Sequence, residues 1–144
     1  MSLQLSARAV VTASMAAAWD VLSHVTAWPA WTPTVSQVEA LDGDRLALGQ
    51  RFRVVQPKLT PLVWEVTRVE PPLAFGWQAR SRGVILTADH RLLPGEVGRC
   101  TLLLDFGFDG ALGLCIGRIW RWRAQQYLDT EARAFQARMA RESS

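Results

Sequence analysis

Two cysteines and two histidines in 144 residues leave little material for a metal centre. Cys100 and Cys115 stand apart with no Cys-x-x-Cys or Cys/His ligand spacing, so no metal and no other cofactor is expected. Both thiols are read as free and buried, in a reducing compartment. Nowhere do 18 consecutive apolar residues occur, and Met1 to Val11 has no continuous apolar core, which argues against a membrane span and against export. A cytoplasmic protein is expected. Catalytic signatures are equally scarce: Gly-x-Ser-x-Gly, His-Glu-x-x-His and a phosphate-cradling glycine-rich loop ahead of a helix are all missing. The segment after Ala111, with six arginines against three carboxylates, accounts for the whole net charge of +3. These arginines are spread around a helix rather than interleaved with base-stacking aromatics, so no nucleic-acid partner is expected.

Tryptophan, by contrast, is abundant. Seven of them exceed what a minimal core of this size needs and suggest a large aromatic-lined interior. Hydrophobic residues at 49% and charged residues at 20% are ordinary for a globular chain, and the length suits one domain spanning residues 1–144.

The dominant element is Leu112 to Met139, free of proline and with glycine only at Gly113 and Gly117. At about 1.5 Å per residue it predicts a helix of roughly 42 Å. Apolar side chains at Ile116, Trp120, Ala124, Tyr127, Leu128, Phe135 and Met139 mark one face, which drifts around the axis and implies a bent helix on a long apolar partner. Leu3 to Thr12 alternates as a strand. Ser14 is a plausible N-cap for a short helix to Ser23, and a second short turn from Thr26 is cut off by Pro29 and Pro33. Six further strands follow, Val35 to Leu41, Gly49 to Gln56, Leu62 to Glu70, Leu73 to Arg80, Val84 to Leu93 and Arg99 to Phe108. They are separated by turn signals such as Asp42-Gly43, Pro71-Pro72, Pro94-Gly95 and Asp109-Gly110. Connections this short join antiparallel neighbours. The fold class is therefore α+β: a seven-stranded antiparallel sheet, two short helices between strands 1 and 2, and the long C-terminal helix covering the sheet's apolar face.

This order, with Trp28-Pro29-Ala30-Trp31-Thr32-Pro33, Val69-Glu70-Pro71-Pro72-Leu73 and Phe108-Asp109-Gly110, resembles the START-like (SRPBCC) superfamily, and more narrowly its polyketide cyclase/dehydrase group. The resemblance spans essentially the whole chain through loose motifs, none of them catalytic. It implies a helix-grip fold, a curved sheet wrapped around the helix with a cavity for a hydrophobic ligand between them, but no particular reaction.

Alternation turns Phe52, Val54 and Gln56; Leu62, Trp64 and Val66; Phe75 and Trp77; Leu86, Ala88, His90 and Leu92; and Leu102, Leu104, Phe106 and Phe108 toward the helix. A bulge would reverse any strand beyond it. Ligand contacts are expected from Phe52, Gln56, Trp64, Phe75, Trp77, Leu86, His90, Leu104 and Phe106, and from Trp120, Ala124, Tyr127 and Leu128 on the helix. Trp28 and Trp31 are either a lid over the cavity mouth or a plug in its floor. His90 is the polar residue to single out, since it shares strand parity with Leu86, Ala88 and Leu92 and so points inward. It needs a partner, with Tyr127, Gln56 or a ligand oxygen as candidates, and His90 and Tyr127 are the catalytic candidates should there be chemistry. His24 is read as a surface or helix-capping residue, and Glu131 as an exposed partner of an arginine.

Three functions fit. The first is a carrier or sensor that binds a small hydrophobic molecule such as a lipid, a polyketide-like ring system or an aromatic metabolite. The second is a cyclase or dehydratase that uses the same cavity, with His90 as general acid/base. The third is a protein-interaction module docking through the C-terminal helix at Trp122, Arg118 and Arg121; a homodimer is one form of it.

Overall fold

Alternation in the first segment becomes strand β1, Leu3–Val11, in a computed structural model that describes residues 2–142. The Ser14 hydroxyl accepts the Ala17 N–H at 3.1 Å and opens helix α1, Met15–Ser23. A 3-10 helix, Val25–Ala30, follows, with Pro29 inside it. Six strands form a meander: β2 Gln37–Ala40, β3 Arg51–Val55, β4 Leu62–Glu70, β5 Ala74–Ser81, β6 Val84–Pro94 and β7 Cys100–Asp109. β1 then pairs with β7, giving one antiparallel seven-stranded sheet in the order β1-β7-β6-β5-β4-β3-β2. Helix α2, Gly113–Glu142, follows β7 and completes the expected helix-grip arrangement of curved sheet, short helices and long C-terminal helix.

Two strands depart from simple alternation. β2 is shorter than its apolar pattern predicts, because Thr32, Thr34 and Val35 are buried in the preceding turn, where the two threonine hydroxyls hydrogen-bond at 2.8 Å. β4 carries a bulge at Thr67. Val66 pairs with Trp77 and Arg68 with Gly76, so the inward set runs Leu62, Trp64, Val66 and then Val69. On the outer face Arg68, Gly76 and Asp89 form one row across three strands. With no side chain at Gly76 in the way, the Arg68 guanidinium reaches Asp89 Oδ1 at 3.3 Å.

α2 does not seat evenly. Its second half buries Leu128, Ala132, Phe135 and Met139, with Phe135 against Trp31 just beyond the 3-10 helix. Its first half is buried only at Gly113 and Gly117, while Ile116, Ala124 and Tyr127 are half-covered and Trp120 is 38% exposed. The helix leans on β1 and β7. Gly117 permits that approach, since a Cβ there would lie 2.8 Å from Leu3 Cδ2. On the opposite flank the apolar stripe faces open space instead of side chains. The thiols differ from the expectation of two buried groups: Cys100 is buried, and burial pushes its thiol above the usual range, whereas Cys115 on the outer side of α2 is exposed. Trp122 is 82% exposed and Ile119 69% exposed on the same outer side.

Candidate functional site

The space beside the first half of α2 is a cavity of about 400 Å³, partly open to solvent. Leu62 and Trp64 of β4, Val84 and Leu86 of β6 and Phe106 and Phe108 of β7 wall it on the sheet side. Ile116, Trp120, Ala124, Tyr127 and Leu128 wall it on the helix side. Gln56, Thr60, Ser81 and Glu131 are the uncharged and acidic polar groups at its surface. A predominantly apolar wall with few polar groups and a volume in the range of about 300–1,000 Å³ has the character of a small-molecule site.

Two tethers frame the mouth. Leu112 N–H donates to the Gly83 carbonyl at 2.7 Å, binding the β5–β6 turn to the start of α2. Further along the helix the Tyr127 hydroxyl donates to the Pro57 carbonyl and pins the β3–β4 turn. Tyr127 is thus at the cavity wall, with its hydroxyl engaged by backbone rather than by His90.

A smaller space of about 50 Å³ continues inward. Gln56, Trp64, Phe106, Leu128 and Glu131 border both spaces, and Trp28, Trp77, Leu104 and His90 border only the inner one. His90 is 4% exposed. Its ring stacks on Phe75 with centroids 4.3 Å apart and planes 6° apart, and Trp28 and Trp77 flank it at 5.3 and 5.9 Å. Its Nε2 lies 3.7 Å from Glu131 Oε1, too far for a direct hydrogen bond, and its Nδ1 has no protein partner. Glu131 is 8% exposed, which corrects its reading as an exposed arginine partner. As the inward face of α2 drifts around the axis, the position one turn after Leu128 comes to point at the sheet. The signal was the drift itself: a stripe that moves from Ile116 to Met139 sweeps across position 131.

The remaining predicted site residues separate. Phe52 and Phe75 are fully buried and border neither space; they are core, with Phe52 packed on Trp77 at 6.1 Å and Phe75 beneath His90. Trp28 and Trp31 are 2% and 7% exposed; Trp28 borders the inner space, and Trp31 borders neither space but packs behind it. Trp28 donates its Nε1–H to the Leu22 carbonyl at 3.0 Å and packs on Trp31, Trp77 and Phe75, while Trp31 meets Phe135 at 5.4 Å. The proline-interrupted segment is thereby drawn into the core as a plug. His24 is exposed, between α1 and the 3-10 helix. Residues absent from the expected set but bordering the main cavity include Lys58, Leu59, Arg82 and Arg123, three of them in turns, where strand alternation carries no information.

Chemically, the arrangement offers an apolar chamber with a buried imidazole and carboxylate at its inner end. Among the described residues no group of three or more His, Cys, Asp or Glu could hold a metal ion, and no helix is long and apolar enough to cross a membrane.

The sequence matches, over residues 2–140, the family described as polyketide cyclase/dehydrase and lipid transport. No curated protein matches it significantly. Among solved structures, an aromatase/cyclase from a Streptomyces species is 16% identical with a TM-score of 0.75, covering 100% of this chain and 97% of that one. A norcoclaurine synthase point mutant from Thalictrum flavum is 15% identical with a TM-score of 0.75, covering 100% and 98%. A START superfamily protein from Mycobacterium smegmatis is 14% identical with a TM-score of 0.72, covering 96% and 98%. At these identities the likeness is one of fold.

Proposed function

The chain belongs to the polyketide cyclase/dehydrase and lipid transport family, and on that premise we propose that it binds a small hydrophobic ligand between sheet and α2, as a non-catalytic carrier or sensor. The ligand is a lipid, a polyketide-like ring system or an aromatic metabolite. The observation that carries this reading is the cavity of about 400 Å³ walled by Trp64, Leu86, Phe106, Ala124 and Trp120. Each 100 Å² of apolar ligand surface buried there is worth about 2.5 kcal/mol before the cost of immobilising the ligand. The test is fluorescence titration with the neutral probe N-phenyl-1-naphthylamine, on the native chain and on Ala124→Trp, which fills the chamber from the helix side. The native chain is expected to bind and the variant to fold cooperatively without binding. Equal binding by both would mean that the probe sits elsewhere.

A second reading, an enzyme of the cyclase or dehydratase kind, is favoured by one observation: the buried His90 faces Glu131 across 3.7 Å at the inner end of the chamber. Here His90 is the general acid/base and Glu131, rather than Tyr127, is the group beside it, with the chamber supplying orientation. Single turnover of a poly-β-ketone substrate, lost in His90→Ala and kept in His24→Ala, supports this reading. Unchanged turnover in His90→Ala removes His90 from any mechanism.

A further inference from the structure

The charge around the mouth narrows the class of ligand. Three cations border the cavity, Lys58 in the β3–β4 turn, Arg82 in the β5–β6 turn and Arg123 on α2, and all three are exposed. Ion pairs elsewhere engage Arg51, Arg68 and Arg138, yet among the described residues none of these three is ion-paired. The carboxylate in the cavity wall, Glu131, is buried at the inner end. Nor are the cations carried on free loops. The Leu112 to Gly83 hydrogen bond holds the turn that bears Arg82, and the Tyr127 to Pro57 hydrogen bond holds the turn that bears Lys58. Arg123 lies over the Trp120 ring at 5.3 Å, on the helix between those two tethers. Unpaired charges of one sign held around an opening into a low-dielectric chamber focus a field on whatever enters. A neutral apolar molecule gains nothing from that field, and an organic cation is repelled by it.

We infer that the ligand is an amphipathic organic anion, its apolar body against Trp64, Leu86 and Phe106 and its acid group at the mouth among Lys58, Arg82 and Arg123. This inference rests on the cavity reading above and specifies the ligand class for it.

The test uses bound N-phenyl-1-naphthylamine as a neutral reporter, with matched competitors that differ only in charge. Decanoate is compared with 1-decanol, and 2-naphthoate with 2-naphthylmethanol, so that the two pairs separate a chain-like from an aromatic anion. At ~20 mM salt at least one acid is expected to displace the reporter at about tenfold lower concentration than its alcohol, an advantage that shrinks at ~0.5 M salt as the field is screened. In Lys58→Glu combined with Arg82→Glu the order reverses, and decylammonium overtakes decanoate. Arg82→Lys, which keeps the charge, keeps the preference. Acids no better than their alcohols, or an acid preference that survives the charge reversal, overturns the inference and leaves the cavity reading standing. A reporter that does not bind the native chain overturns both.

Discussion

Burying a histidine among aromatic rings costs free energy unless both ring nitrogens find partners. At His90 neither finds one at hydrogen-bonding distance: Nδ1 has no protein partner and Nε2 stops 3.7 Å short of Glu131. A buried polar group left in that state costs about 1–3 kcal/mol, so the two side chains are held there by the packing of Phe75, Trp28, Trp77 and Leu128 around them rather than by their own attraction. Glu131→Leu is therefore expected to stabilise the fold by about 1 kcal/mol, because it removes a buried carboxyl whose Oε1 has no hydrogen-bond partner and puts apolar volume in its place. Chemical denaturation of the two proteins measures it. A loss of stability of similar size would instead identify a bridged, structural ion pair. His90 is legible in the sequence because strand parity places it with Leu86, Ala88 and Leu92. Glu131 is not, because a carboxylate beside an apolar stripe reads as solvent-facing unless the helix turns it inward, and that turn depends on which strands the helix leans against.

At the scale of elements, all seven strands and the long helix can be read from turn dipeptides and periodicity. Asp109-Gly110 ends β7, and Gly110, at φ +89°, takes the left-handed conformation that the turn into α2 requires. The division of α2 into a packed half and a standing-off half is not legible. Both halves carry apolar residues at helical spacing, and the small residue that decides the approach, Gly117, looks in the sequence like an ordinary weak point near a helix start. Of its partners, Phe108 lies in the strand that leads into the helix, but Leu3 comes from the far end of the chain. Gly117→Val should show the difference. The new side chain gains a few tenths of a kcal/mol in helix propensity but is driven into Leu3 and the Phe108 Cβ at about 3 Å, and such overpacking costs about 1–3 kcal/mol. A net loss near 2 kcal/mol in urea unfolding is expected; unchanged stability would mean that α2 slides along β1 and β7 without cost.

For the molecule as a whole, the cavity follows from topology. The order β1-β7-β6-β5-β4-β3-β2 puts β1 and β2 at opposite edges, and a helix that leans on β1 and β7 cannot also fill the hollow over β4 and β6. The aromatic surplus makes an interior of this kind legible, but its volume is a difference between helix-to-sheet spacing and side-chain bulk, which alternation alone does not contain. One consequence spans both layers. Ile116, Trp120 and Ala124 stand over open space while Leu128, Ala132, Phe135 and Met139 are packed, so the first half of α2 should open locally at lower free energy than the second. Amide hydrogen exchange in the free protein is expected to be faster over residues 116–124 than over residues 128–139. A ligand in the chamber fills the space beneath the looser half. At a free probe concentration of about 100 times its Kd, N-phenyl-1-naphthylamine should add about 2.7 kcal/mol of stability, a rise in Tm of roughly 5–10 °C for a chain of this length. Because the helix side chains that stand over the chamber without other packing, Ile116, Trp120 and Ala124, lie in that half, the slowing of exchange should concentrate on residues 116–124. A rise in Tm accompanied by uniform slowing, or by slowing confined to β1 and β7, would put the ligand outside the chamber.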